Sequence, residues 1–337
     1  MPSTDTPESP DGKSFGTRFT DGWQRAMDHL PLAVAPFASS LLAADNIRRV
    51  RAAEGVNLGM TFSFPSALPD LWTFVNVPNS GSGIYVSPTV ALLPIQILVE
   101  AVLVAGLLGS VAALIQNGRY DFADETREHF VPMLKYVALV NLVTLSTVAF
   151  AVVSPLLLVV LIPALLVLKY LFYATAYLVA VADESLGDAL GRSFRWASAG
   201  GPYLSYGVGY LLFAALVSIV TSAFVVNLGV VGIVVGAVAT APVALALTFA
   251  TTEFVADMDA RESGEPAGFD GGDGNGGSGR DGHDRFDSAD EFDSSADQFD
   301  PSTDRLDATD DRFDATEENS RENFWDRRKE EEDEGGR

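Results

Sequence analysis

The chain has 337 residues, of which 48% are hydrophobic, yet its net charge is -23. No uniform globule fits both figures: beyond Val255 lie 28 of the 45 acidic residues and 10 of the 22 basic ones, so an apolar, nearly neutral body precedes a solvated acidic tail. Cysteine is absent, which excludes disulfides, thiolate nucleophiles and Cys-based metal sites.

Taken in order, residues 1–13 are polar and expected to be disordered. From Ser14 to Asp28 the large apolar residues Phe15, Phe19, Trp23 and Met27 recur at helical spacing, with Arg18 and Arg25 among them. This pattern predicts an amphipathic helix at the membrane interface, or an extension of the first span. The first apolar run, 30–46, is short for a bilayer core of ~30 Å and carries Pro31 and Pro36. It spans only if Ala26 and Asn46 are drawn in; otherwise it dips. Arg48, Arg49 and Arg51 follow it, which argues against a cleaved signal peptide. Residues 57–87 form a loop rich in Pro, Gly and aromatics, suited to a headgroup boundary.

Five longer apolar runs follow, at 88–116, 131–153, 155–182, 203–226 and 230–254. Backbone groups in lipid must bond internally, so such runs read as helices. Ser154–Pro155 and Asn227–Leu228–Gly229 are uncharged tight connections, predicting two helical hairpins. The fold expected is therefore an all-α polytopic transmembrane bundle of six helices, five if the first run only dips. Arg119, Arg127, Lys135, Arg192 and Arg195 place the two basic loops inside, with the N-terminus and tail. Arg48, Arg49 and Arg51 conflict with this, because they fall outside. The organisation expected is a cytoplasmic segment 1–29, a transmembrane domain 30–256 and a disordered acidic tail 257–337.

The tail repeats an apolar residue followed by Asp at Phe286, Phe292, Phe299, Leu306 and Phe313, with a spacing that settles near seven. One apolar position per heptad is too sparse for a coiled coil. The repeat reads as a row of docking motifs for a cytoplasmic protein, the alternative being drift in an acidic tail. Lysine is confined to Lys13, Lys135, Lys169 and Lys329. Dense carboxylates with few lysines suit soluble parts facing very high salt, as in a halophilic archaeon.

The segment Asp183–Ala197, with its Ala-Leu-Gly-Arg-Ser step, and the segment Asn117–Phe122 both lie at helix boundaries. They resemble uncharacterised multi-pass membrane families of haloarchaea. Those families are similar to the membrane domain attached to some glycerophosphodiester phosphodiesterases. The resemblance covers roughly Phe15 to Phe254. No phosphodiesterase domain is present, so the resemblance implies a fold and no activity.

Three polar residues lie deep in the runs: Glu100, Asn141 and Lys169. A charge at mid-membrane costs about 2.5–3.5 kcal/mol on insertion scales, so it usually has a partner or a role. Glu100 and Lys169 sit at similar depth, which predicts that they pair, with Gln96, Asn141, Tyr170, Tyr173 and Tyr177 as further lining. The pair is either structural or the centre of a polar site. Gly232, Gly236 and Thr240, like Ala101, Ala105 and Gly109, are spaced for close helix packing within the bundle. Asp121, Asp124, Glu125, Glu128 and His129 read as a solvated acidic face. No catalytic order, phosphate loop or zinc spacing stands out, and no metal or cofactor is expected. The acidic tail argues against nucleic acid. The function expected is a non-enzymatic membrane scaffold, in contact with lipids and docking a partner through its tail. The alternative is a transporter or lipid-handling bundle built on Glu100 and Lys169.

Overall fold

The computed structural model describes residues 13–78 and 92–264. The repeat at Phe286, Phe292, Phe299, Leu306 and Phe313 lies outside the described residues, as do the tail from 265, the segment 79–91 and residues 1–12. Among the described residues the regular elements are all helical: α1 Phe15–Asp28, α2 Val34–Leu42, α3 Ala44–Arg51, α4 Leu93–Asn117, α5 Phe122–Val153, α6 Leu158–Phe172, α7 Thr175–Val181, α8 Leu186–Ala199 and α9 Pro202–Ser263. Four stretches are long and apolar enough to cross a membrane: α4, α5 to Phe150, Val159–Val181 and α9. A fifth is added if Leu30–Leu42 and Ala44–Arg51, bent by 59°, form one broken span. By length and composition, these helices suit a membrane protein.

A straight 62-residue α9 would be ~93 Å long. Gly229, at φ 59 and ψ -129, breaks it into two arms. The arms fold back on each other. Tyr206 hydrogen-bonds Thr251 at 2.9 Å and stacks on Phe254 at 4.2 Å, and Tyr203 also reaches Phe254. Nearer the turn, a Cβ on Gly232 would lie 2.7 Å from the Val225 carbonyl oxygen. These pairs are nearly equidistant from Gly229, so the arms run antiparallel. The expected hairpin is there, and Gly229 forms its tip. Its base holds Pro202 and Ser263.

The N-terminal helices climb the second arm from base to tip. Arg18 reaches Asp257, Gly22 sits against Ala246 and Ala250, Ala33 and Ala35 join Ala241, and Val50 meets Val225 and Ile233. The expected interfacial helix is thus docked on the bundle. Gly22 and Ala26 permit the approach, and acidic partners await Arg18. Arg48, Arg49 and Arg51 stand at the tip.

Helices α4 and α5 form a second antiparallel pair. Gly106 and Gly109 leave room for Phe122, Thr126, Glu125 and His129. Asp121 caps α5, accepting from the Ala123 and Asp124 N–H groups at 2.9 and 3.3 Å, so the helix starts well before the apolar run. The fourth run is interrupted at Tyr173–Ala174, between α6 and α7. The expected polar loop after it contains helix α8, whose Ser185 caps the start. Gly200 and Gly201, at φ 70 and 56, then turn the chain into α9.

The largest departure from expectation is the aromatic loop. Much of it packs against the helices. Phe64, Ala67, Leu71, Phe74 and Val75 are buried. At the tip Asn57 and Asn227 exchange backbone and side-chain hydrogen bonds of 2.9 and 3.0 Å. The loop then descends along the first arm. Thr61 N–H donates to Ser218 Oγ at 2.8 Å, and Phe64 packs near Gly207. It climbs back, with Asn76 N–H donating to Ser222 Oγ at 2.8 Å. From Asn227 to Gly207 is about 20 residues of arm, or roughly 30 Å of helical rise. The segment folds back on itself, starting and ending near the tip.

Candidate functional site

Irregular backbone survives at membrane depth only where other groups bond it. Here the sequence supplies hydroxyls on neighbouring helices. Ser218 and Ser222 accept from loop N–H groups, and Thr221 donates to the Phe74 carbonyl. On α2, Ser40 Oγ accepts from Leu71 N–H at 3.0 Å, while the Ser40 carbonyl accepts from Trp72 Nε1 at 2.7 Å. At the foot, Tyr177 donates to the Ser66 carbonyl at 2.7 Å. Asp70 caps the single turn Leu71–Thr73: its carboxylate accepts from Ser39 Oγ and from Thr73 N–H, both at 3.1 Å.

This loop brings polar groups to the interior. Glu100 on α4 has the Asn141 side chain of α5 as a close polar neighbour and lies within electrostatic reach of Asp70 and Tyr136. Asn141 Nδ2 also donates to the Val137 carbonyl at 2.9 Å. Tyr177 neighbours Tyr206, Tyr210 and Tyr136. The buried hydroxyls of Ser66 and Tyr210 have no hydrogen-bond partner among the described residues.

The structure brings Glu100 and Asn141 together and leaves Lys169 elsewhere. Lys169 is exposed, and among the described residues no ion pair joins it to Glu100. Equal depth fixes height but not direction around the bundle: α4 packs on α5, whereas α6 packs chiefly on α8. Lys169 lies instead in the last turn of α6, where a cation meets the negative end of the helix dipole. Gln96 is exposed, while Tyr173 and Tyr177 are core residues.

Sequence reasoning missed the charge clusters at the base. Arg18, only 3% exposed, places Nη2 2.6 Å from Asp257 and Nη1 3.7 Å from Glu253. Glu253 also takes Lys13 at 3.1 Å and Arg25 at 3.0 Å. Burial opposes the Lys13 ammonium, but the hydrogen-bonded Glu253 and nearby Asp21 outweigh it and hold its pKa above the ordinary value. Arg192 on α8 meets Glu184, Asp259 and Glu262 at 2.6–2.7 Å and lies 4.9 Å over the Trp196 ring. Burial opposes its charge too, and the Glu262, Glu184 and Asp259 carboxylates more than compensate. The only sequence signal was a cation on an amphipathic helix and acids at the end of an apolar run. Glu125, Glu128 and His129 offer ligand atoms within 4.8 Å of one another, and His129 Nδ1 lies 3.1 Å from the Glu125 carbonyl.

Between α1 and the base of α9 lies a cleft of about 480 Å³. Lys13, Arg18, Arg261 and Asp257 line it, with Phe15, Pro202, Tyr206 and Phe254 as apolar wall. Compared with protein-family models, curated proteins and solved structures, the chain shows no match.

Proposed function

We propose that the bundle handles a small polar solute, a proton or a hydrated cation, through the folded-back segment 57–78 and the polar interior at its foot. One observation carries this reading. A non-helical segment reaches deep between the helices, with Glu100, Asn141 and hydroxyls of Ser66 and Tyr210 that have no hydrogen-bond partner among the described residues around it. A solute moving through the bundle would find hydrogen-bond partners there, and a titratable carboxylate. Broken backbone beside polar groups is how many transporters build their sites.

The arrangement assumed has six crossings: the bent N-terminal pair, α4, α5, α6 with α7, and the two arms of α9. The base, the basic loops and the acidic tail face the cytoplasm. Lys169 has no part in this site. A second reading is favoured by the Phe-Asp repeat of the tail, in which the bundle anchors a scaffold that docks a cytoplasmic protein. The likeness to the multi-pass families of haloarchaea agrees with either.

The test is reconstitution of the full chain into liposomes carrying an internal pH dye or, in parallel, a sodium-sensitive dye, with a potassium diffusion potential imposed. Voltage-driven proton or cation entry that is lost in Glu100→Gln, with folding intact, is the expected result. A wild-type chain that is folded and correctly inserted but passes neither would sink the solute reading and leave the scaffold.

A further inference from the structure

The geometry points to the basal cleft as a binding site for a phosphate-bearing anion, a phospholipid headgroup or free phosphate being its two sources. Three cations line the cleft, Lys13, Arg18 and Arg261, against one carboxylate, Asp257. Arg18 is nine-tenths buried, and its Nη1 has no hydrogen-bond partner among the described residues, Glu253 lying at ion-pair distance only, 3.7 Å. The other nitrogen, Nη2, is engaged by Asp257. The fork is thus half used in hydrogen bonding, and Arg18 is among the residues that line the cleft. Arg261 is exposed and forms no ion pair among the described residues.

A second, independent feature favours an anion. The first arm of α9 begins at Gly201–Pro202, in the cleft wall, with no side chain capping it. Pro202 has no N–H, so the free donors of this helix end belong to the next residues, and the positive end of its dipole faces the cleft. Gly200 and Gly201 leave open space around them: a Cβ at either would meet nothing within 4 Å. Helix α1 also starts at the cleft, with Ser14 as its cap. The aromatic wall of Phe15, Tyr206 and Phe254 suits the glycerol and upper chain of a lipid better than a bare ion.

The test uses the full chain purified in mild detergent, with thermal unfolding followed during titration by dioctanoyl phosphatidylglycerol, dioctanoyl phosphatidylcholine or inorganic phosphate. Two exposed positions avoid the core: Arg261→Gln removes a cation, and Ser205→Glu places a carboxylate in the cleft. Saturable stabilisation by phosphatidylglycerol, weakened several-fold in both variants, supports a lipid headgroup. Inorganic phosphate matching that stabilisation, with the same sensitivity to both variants, supports the site with a soluble anion as occupant. Equal stabilisation by both lipids, no saturable effect of any ligand, or an effect unchanged in both variants overturns the proposal.

Discussion

Replacing Gly22 by alanine should loosen the N-terminal helix from the bundle. A Cβ there would lie 2.5 Å from the Ala246 carbonyl oxygen and 3.2 Å from the Ala250 nitrogen. Both are backbone atoms of the second arm, so no side chain can swing aside. Ordinary contact begins near 3.4 Å, which leaves the new methyl about 0.9 Å short. The two helices must part by nearly that much, and overpacking of this kind costs about 1–3 kcal/mol. Alanine returns up to ~1 kcal/mol through helix propensity, so the net should be a loss of roughly 1 kcal/mol or more. Gly16 provides the internal control. It lies in the same helix, is exposed, and its nearest neighbour is Ser14 Oγ at 3.9 Å. Gly16→Ala should therefore stabilise slightly. Thermal unfolding of the purified full chain in detergent reads both changes, and ~1 kcal/mol corresponds to a shift of about 2–4 °C at this size. If Gly22→Ala matches or exceeds Gly16→Ala, α1 does not dock on the second arm at this contact.

Three further outcomes follow from the geometry. Gly229→Ala puts a side chain on a backbone at φ 59 and ψ -129, and should cost about 1–3 kcal/mol, seen as a lower melting temperature. Ser218→Ala with Ser222→Ala removes the acceptors of two loop N–H groups, at about 1–3 kcal/mol for each group left unpaired. Because the chain has no cysteine, a single one at Ser66 reports directly: it should resist a membrane-impermeant thiol reagent in the wild type and become reactive in the double variant. Lys169→Met should be near neutral, and in a double-mutant cycle with Glu100→Gln the coupling should stay below ~0.5 kcal/mol; a larger value would show that the two charges meet.

The apolar runs and the Gly229 turn were legible because lipid demands long stretches of one kind of residue, and glycine interrupts them. The folded-back segment was not. Phe62, Phe64, Trp72 and Phe74 have the composition of an interfacial loop. What draws that loop inward is a few hydroxyls, Ser218, Thr221 and Ser222, inside a run otherwise read as a plain span. Helix α8 was hidden for the opposite reason: its polar face resembles a loop, and only Ser185 and Gly200 mark its ends. For the candidate site, depth singled out Glu100 and Asn141, which lie near each other on α4 and α5. It misled for Lys169, because height along a helix carries no information on which neighbour stands beside it. The link from Arg18 to Glu253 and Asp257 joins the two ends of the body, and no local spacing encodes it.

The folded-back segment also sets an order of events during synthesis. Thr61 finds its acceptor on Ser218, 157 residues later, and Asn76 finds its own on Ser222, 146 residues later. Until the first arm leaves the ribosome, these N–H groups lack the partners they have in the fold. Completing these bonds is therefore a late event, after the first arm has been made. The same holds at the other face, where Lys13 awaits Glu253, 240 residues downstream. A chain halted between Val181 and Pro202 would hold inserted helices with neither plug nor N-terminal clasp in place. Such an intermediate should be open to proteases at the 52–78 segment, and should close only when the last arm arrives.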